Sequence, residues 1–141
     1  MRALRAAFPG LPLRLDPNAN GSLEASIRAA PELDELLEYC EDPTPGLKGM
    51  AEFARHTRLP LATNMVITTL DDFRKGAETG AVKVLLSDHH DWGGLRVTQT
   101  LARMCALGSG HVDAFELAPG HQPDGDDPGG GQHPEPDTPR F

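Results

Sequence analysis

From residue 11 to residue 104 the chain alternates short apolar runs with longer stretches in which apolar residues return every three or four positions. The runs at 11–16, 36–40, 59–63 and 81–86 are short and rich in Leu, Val and Ala, which predicts buried strands; 81–86 is the clearest of them. The stretches between them predict helices. One starts behind Ser22 as N-cap and carries Leu23, Ile27, Ala30 and Leu33 on one face. A second follows the turn at 41–46 and runs through Met50, Phe53 and Ala54. A third spans 70–77 and stops at Gly80, and a fourth covers 95–104 with Leu95, Thr98, Leu101 and Ala102. A short helical pattern precedes the first strand. Strand and helix in regular alternation predict an α/β fold of about four βα units around a parallel sheet.

Beyond Ala106 the composition changes. The segment is crowded with Gly, Pro, Asp and His, has no Lys, and has Arg140 as its one arginine. Such a composition lacks the apolar surface to offset chain entropy, so 106–141 are expected to be disordered and 1–105 to form the folded domain. A closed (β/α)₈ barrel takes roughly 200 to 250 residues, so 141 residues are expected to carry part of one. The net charge of −8 offers neither nucleic acid nor an anionic membrane a basic surface. Cys40 and Cys105 sit far apart in apolar stretches, as reduced packing residues do. No apolar run approaches a membrane span, and the first residues lack a secretory signal pattern, so the expected location is the cytoplasm.

Each predicted strand ends in a polar residue: Asp16, Glu41, Asn64 and Asp88. In a barrel the C-terminal strand ends converge on one site. Two carboxylates and an amide oxygen there make a hard-oxygen set suited to Mg²⁺. Asp and Asn after a strand also serve as turn formers and helix caps, and for any one of the four that ordinary use suffices; four in succession favour a site.

The sequences around these residues are Leu-Asp-Pro-Asn at 15–18, Glu-Asp-Pro at 41–43, Ala-Thr-Asn-Met at 62–65 and Ser-Asp-His-His-Asp-Trp at 87–92. In this order and spacing they resemble the glucarate dehydratases of the enolase superfamily, over roughly residues 4–105. The resemblance implies a partial (β/α)₈ barrel of the enolase C-terminal type. It implies a Mg²⁺-dependent removal of water from D-glucarate in a homo-oligomeric parent enzyme. By the same resemblance Asp16, Glu41 and Asn64 would bind Mg²⁺, and Asn18 and His90 would face the substrate. Asp88 would orient a catalytic histidine on the next strand. Proton abstraction next to a carboxylate gives an enediolate, whose charge a divalent cation stabilises. One departure is the stretch Ala19-Asn20-Gly21-Ser22, where family members carry an aromatic residue. Asn64, where many superfamily members have Glu, favours glucarate over mannonate or galactarate.

Two family elements are not legible. The family's Lys-x-Lys pair, which supplies the base, is expected on the strand before that of Asp16, for which the residues ahead of 11 are expected to leave no room. The histidine segment Ser-Met-His-Ser-Asn-Ser-His-Leu-Gly-Ile-Ser is expected soon after Cys105 and is not there. Permitted codons for 110–128, read one base later, do encode Gly-Thr-Ser-Met-His-Ser-Asn-Ser-His-Leu-Gly-Ile-Ser-Leu-Met-Ala-Met-Thr. A frameshift near Ala106 is therefore expected, which would make the His and Asp residues of 111–127 accidental. Without base and acid, the chain is expected either to be a fragment of an acid-sugar dehydratase or to act as an inert, metal-binding half-barrel with open sheet edges.

Overall fold

The computed structural model describes residues 1–107 and 114–117. The elements follow in the order α1 (Arg2–Ala7), β1 (Arg14–Leu15), α2 (Leu23–Leu36), β2 (Tyr39–Glu41), α3 (Gly46–Phe53), β3 (Leu61–Thr63), α4 (Leu70–Thr79), β4 (Val84–Ser87), α5 (Leu95–Ala106) and β5 (Ala114–Leu117). All four strand pairings are parallel, and spatial order equals chain order, β1-β2-β3-β4-β5. Each crossover between neighbouring strands through β4 contains one of α2, α3 and α4, which is the repeating unit of an open barrel segment.

Local chemistry sets the helix ends. Ser22 caps α2, its Oγ accepting from the Ala25 amide at 3.2 Å, and Thr69 caps α4 by accepting from the Asp72 amide at 3.1 Å. Gly80 ends α4 at φ 64°, the left-handed conformation that glycine takes without strain. The expected strand at 36–40 begins too early. Leu33 and Leu36 extend the three-residue spacing of α2 to Leu36, and the Leu37 amide still bonds to Leu33 O, so β2 starts at Tyr39. α5 runs to Ala106, one residue past the expected domain edge.

Within 106–141 the described residues include one short strand. Ala114–Leu117 form β5, paired in parallel with β4 from Val84↔Ala114 to Ser87↔Leu117. The physical reason is the free edge of β4, whose backbone groups gain partners when a short extended segment lies alongside. The remaining tail residues, and the histidines and aspartates in them, lie outside the described residues.

The two faces of the sheet carry different cores. Side chains alternate along a strand. On one face, Cys40, Leu61 and Leu85 meet Ala30, Met50, Phe53, Phe73, Leu101 and Cys105 of the covering helices. On the other, Tyr39, Ala62, Val84 and Leu86 form a second buried cluster, with the Arg14 guanidinium 4.5 Å above the Tyr39 ring. That second face corresponds to the interior of a barrel. Both cysteines are free and buried, and burial together with the nearby Asp16, Asp42 and Glu41 pushes the Cys40 thiol up to about 12, which keeps it unreactive. Among the described residues no helix is long and apolar enough to cross a membrane.

Candidate functional site

The strand register places the four strand-end residues on the interior face. Leu15 pairs with Cys40, so Asp16 stands level with Glu41. Glu41 pairs with Ala62, two residues before Asn64, and Ala62 pairs with Val84, four residues before Asp88. All the offsets are even, so the alternation of side chains gives Asp16, Glu41, Asn64 and Asp88 the face of Tyr39, Ala62, Val84 and Leu86. They stand directly above that apolar layer, at the C-terminal ends of their strands.

The loop after β1 is drawn tight around Asp16. Its Oδ1 accepts from the Asn18 amide at 2.7 Å, and the Asn20 amide bonds to Pro17 O at 3.0 Å. Asn18 and Ala19 both take left-handed backbone, φ 51° and 54°, a conformation that costs Ala19 about 1 kcal/mol or more and persists because surrounding bonds hold it. One of those bonds runs from the Ala19 amide to Asp42 O at 2.9 Å.

Asn64 and Asp88 meet directly. Asn64 Nδ2 donates to Asp88 Oδ2 at 3.4 Å. Asp88 is 5 % exposed, and its Oδ1 is buried without a hydrogen-bond partner. A buried carboxylate oxygen left in this way is costly unless a donor or cation reaches it. Glu41 is under related stress. Burial, then the charges of Asp16, Asp42 and Asp88, push its carboxyl up to about 7, with Arg14 opposing them.

A cleft of about 640 Å³ opens here. Asp16, Asn18, Asn64 and Asp88 line it, together with Met65, Thr68, Thr69 and Asp91, which sequence reasoning did not single out. Glu41 and His90 are not among its lining residues. His90 is exposed, its ring 3.9 Å from that of His89, in the turn where the Trp92 and Gly94 amides bond to Asp88 O and His89 O. Trp92 is buried in the helix-side core. Sequence reasoning also passed over Asp42 and Thr63, both fully buried beside the site. The available signal was their place in Glu-Asp-Pro and next to Asn64.

The residues fit a hard divalent cation. Among the described residues no three His, Cys, Asp or Glu side chains are grouped to hold a metal by themselves. An oxygen set completed by an amide, as here, is nonetheless of the kind that Mg²⁺ accepts. The partnerless Asp88 oxygen and the raised Glu41 carboxyl are each relieved by added positive charge.

Known proteins are similar along most of the chain. A probable glucarate dehydratase of Streptomyces coelicolor is 55% identical over 105 residues, which are 74% of this chain and 24% of that protein. An enolase of Pseudomonas fluorescens Pf0-1, crystallised with bound magnesium, potassium and tartrate, superposes with a TM-score of 0.74 at 56% identity, over 81% of this chain and 26% of that one. An enolase of Gibberella zeae PH-1, complexed with magnesium, formate and sulfate, gives 0.72 at 51% identity, over 75% and 25%. The chain thus spans about a quarter of the length of these relatives. With the family model described as "Enolase C-terminal domain-like" matching residues 1–110, the chain belongs to that family, in the same α/β architecture the strands and helices display.

Proposed function

We propose that this chain carries the cation-binding end, and part of the acid-sugar site, of a hydro-lyase resembling glucarate dehydratase. The observation that carries the reading is the even register that sets Asp16, Glu41, Asn64 and Asp88 on one face above a common apolar layer. Similarity to a probable glucarate dehydratase supports the substrate class. In the proposed reaction a C–H bond next to a carboxylate of D-glucarate breaks, the neighbouring hydroxyl leaves as water, and 5-dehydro-4-deoxy-D-glucarate results.

Asp16, Glu41 and Asn64 would hold Mg²⁺. Bound there, the cation supplies positive charge that offsets the negative charge building on the substrate carboxylate as the neighbouring proton leaves. Asn18, on the cleft wall, would hydrogen-bond a substrate hydroxyl, and His90, off that wall but next to the cleft-lining Asp91, would approach the substrate from the turn after Asp88. Asp88 would hold a histidine in orientation for proton transfer. The compartment would be the cytoplasm, where two buried free thiols stay reduced.

The 141 residues contain no Lys-x-Lys pair and no Ser-Met-His-Ser-Asn segment. For the chain as it stands, cation binding without turnover is therefore the second reading. We assign 106–141 to an out-of-frame tail. In the shifted reading the missing histidine segment returns at 112–122.

Incubating the chain with Mg²⁺ and D-glucarate should give no keto acid, while calorimetry should detect D-glucarate binding that requires Mg²⁺. Turnover abolished by Asp16→Ala would overturn the inert reading. Glucarate binding indifferent to Mg²⁺ would overturn the cation site.

A further inference from the structure

Asp42 is none of the proposed ligands, yet more of the site's backbone hangs from it than from any of them. Its side chain is fully buried, and its backbone takes φ 35°, a left-handed conformation that a β-carbon disfavours. Oδ1 accepts from Thr63 Oγ1 at 2.5 Å. Oδ2 accepts from the amides of Asn64 at 3.2 Å and Met65 at 3.4 Å. Its main chain is equally committed, the amide bonding to Ala62 O at 3.0 Å and the carbonyl accepting from the Ala19 amide at 2.9 Å. The next carbonyl, Pro43 O, accepts from Ser26 Oγ at 2.8 Å.

The loop after β1 is pressed against this unit. A β-carbon at Gly21 would come within 2.9 Å of both Pro43 O and Ser26 Oγ, so the loop has no slack there. Thr63 Oγ1 in turn accepts from the Val66 amide at 2.9 Å, continuing the chain of bonds into the loop that bears Asn64 and Met65.

A buried carboxylate is an expensive way to fill space, and it is kept where several donors need it. Three donors converge on these two oxygens, and the isosteric Asn has one acceptor oxygen to offer. Asp42 is not among the residues that line the cleft, and its carboxylate bonds to the amides of Asn64 and Met65, so it acts on the site through the backbone of its neighbours.

We propose that Asp42 is a positioning residue for the candidate cation site: its carboxylate fixes the end of β3 that delivers Asn64, and its main chain fixes the loop that delivers Asp16 and Asn18. The inference rests on the cation reading above and adds the part that holds its ligands in place. Three loops from successive strands are joined by one residue that is not itself a ligand and holds the Asn64 amide, the kind of supporting contact that decides whether a metal site is tight or loose.

The test uses the full chain with Asp42→Asn, and with Thr63→Val as a second variant in case the first does not fold. Amide hydrogen exchange by NMR reads the backbone, and Mn²⁺ titration followed by electron paramagnetic resonance reads the site. In Asp42→Asn the Asn64 and Met65 amides should exchange at least tenfold faster and Mn²⁺ should bind at least tenfold more weakly, with β4 and α5 amides unchanged. Thr63→Val should move both readouts in the same direction by a smaller factor. Unchanged exchange at Asn64 and Met65, or faster exchange with unchanged Mn²⁺ affinity, overturns the inference. A wild-type chain with protected amides and no Mn²⁺ uptake overturns the cation reading, and the positioning role with it. Uptake by the wild type that the variants match overturns the positioning role alone.

Discussion

Asn64 spends its donor end on Asp88, Nδ2 reaching Oδ2 at 3.4 Å, which leaves the amide oxygen as its acceptor end. The contact fixes the orientation of an amide that would otherwise be ambiguous between oxygen and nitrogen. Both residues line the same cleft. Replacing Asn64 by Leu removes the donor and leaves the Asp88 carboxylate buried without a side-chain partner. The expected loss is about 1–3 kcal/mol of unfolding free energy at pH 7, measured by urea denaturation. Asn64→Asp should destabilise further in the absence of cation, because a second carboxylate then faces Asp88, and Mg²⁺ should reverse much of that loss.

Glu41 makes stability depend on pH in a stated direction. Its folded carboxyl lies at about 7 against 4.5 for the free group, so between those values the folded chain holds a proton that the unfolded chain has released. Stability from this group is complete below pH 4.5 and is lost as pH rises through 7. Metal-free chain should therefore melt at a lower temperature at pH 8 than at pH 5.5, and Glu41→Gln should flatten that difference. Equal slopes in wild type and variant would remove Glu41 as the cause.

Gly76 sets helix propensity against packing. It lies inside α4, where Ala is favoured over Gly by about 1 kcal/mol. A β-carbon there would fall 2.4 Å from Ile67 Cδ1, and Ile67 is fully buried. Overpacking a filled core costs about 1–3 kcal/mol, so Gly76→Ala should destabilise on balance. Ile67→Val removes the clashing methyl. Combined with Gly76→Ala it should recover stability relative to the sum of the single changes, a non-additivity that a double-mutant cycle reads directly.

The coding DNA decides the origin of the tail. Codons 110–128 read one base later should give the Ser-Met-His-Ser-Asn-Ser-His segment, and codons that give anything else there remove the out-of-frame assignment.

What the sequence made legible follows from which interactions are local. Three- and four-residue spacing, the Ser22 cap and the Gly80 stop are read along the chain, and the helices appear where they predict. Asp16, Glu41, Asn64 and Asp88 were legible as strand ends because the βα unit repeats them at the same place. The Leu36–Tyr39 boundary was not, since an apolar run of that length suits a helix end as well as a strand. Asp42 was missed because its importance lies in donors 21 to 23 residues away across β2 and β3, which only the register brings together. His90 was singled out by its motif, while the turn after Asp88 leaves it exposed beside His89, off the cleft wall. β5 was unreadable because its pairing depends on the free edge of β4, a partner that composition does not reveal.

The central claim is that Asp16, Glu41 and Asn64 act as one divalent-cation site. Calorimetric titration of the full chain with Mg²⁺ at pH 8, in wild type and in Asp16→Asn, Glu41→Gln and Asn64→Leu, tests it directly. One site per chain, weakened at least tenfold by each substitution, is the predicted result; absence of binding in the wild type, or equal affinity in all four proteins, would contradict it.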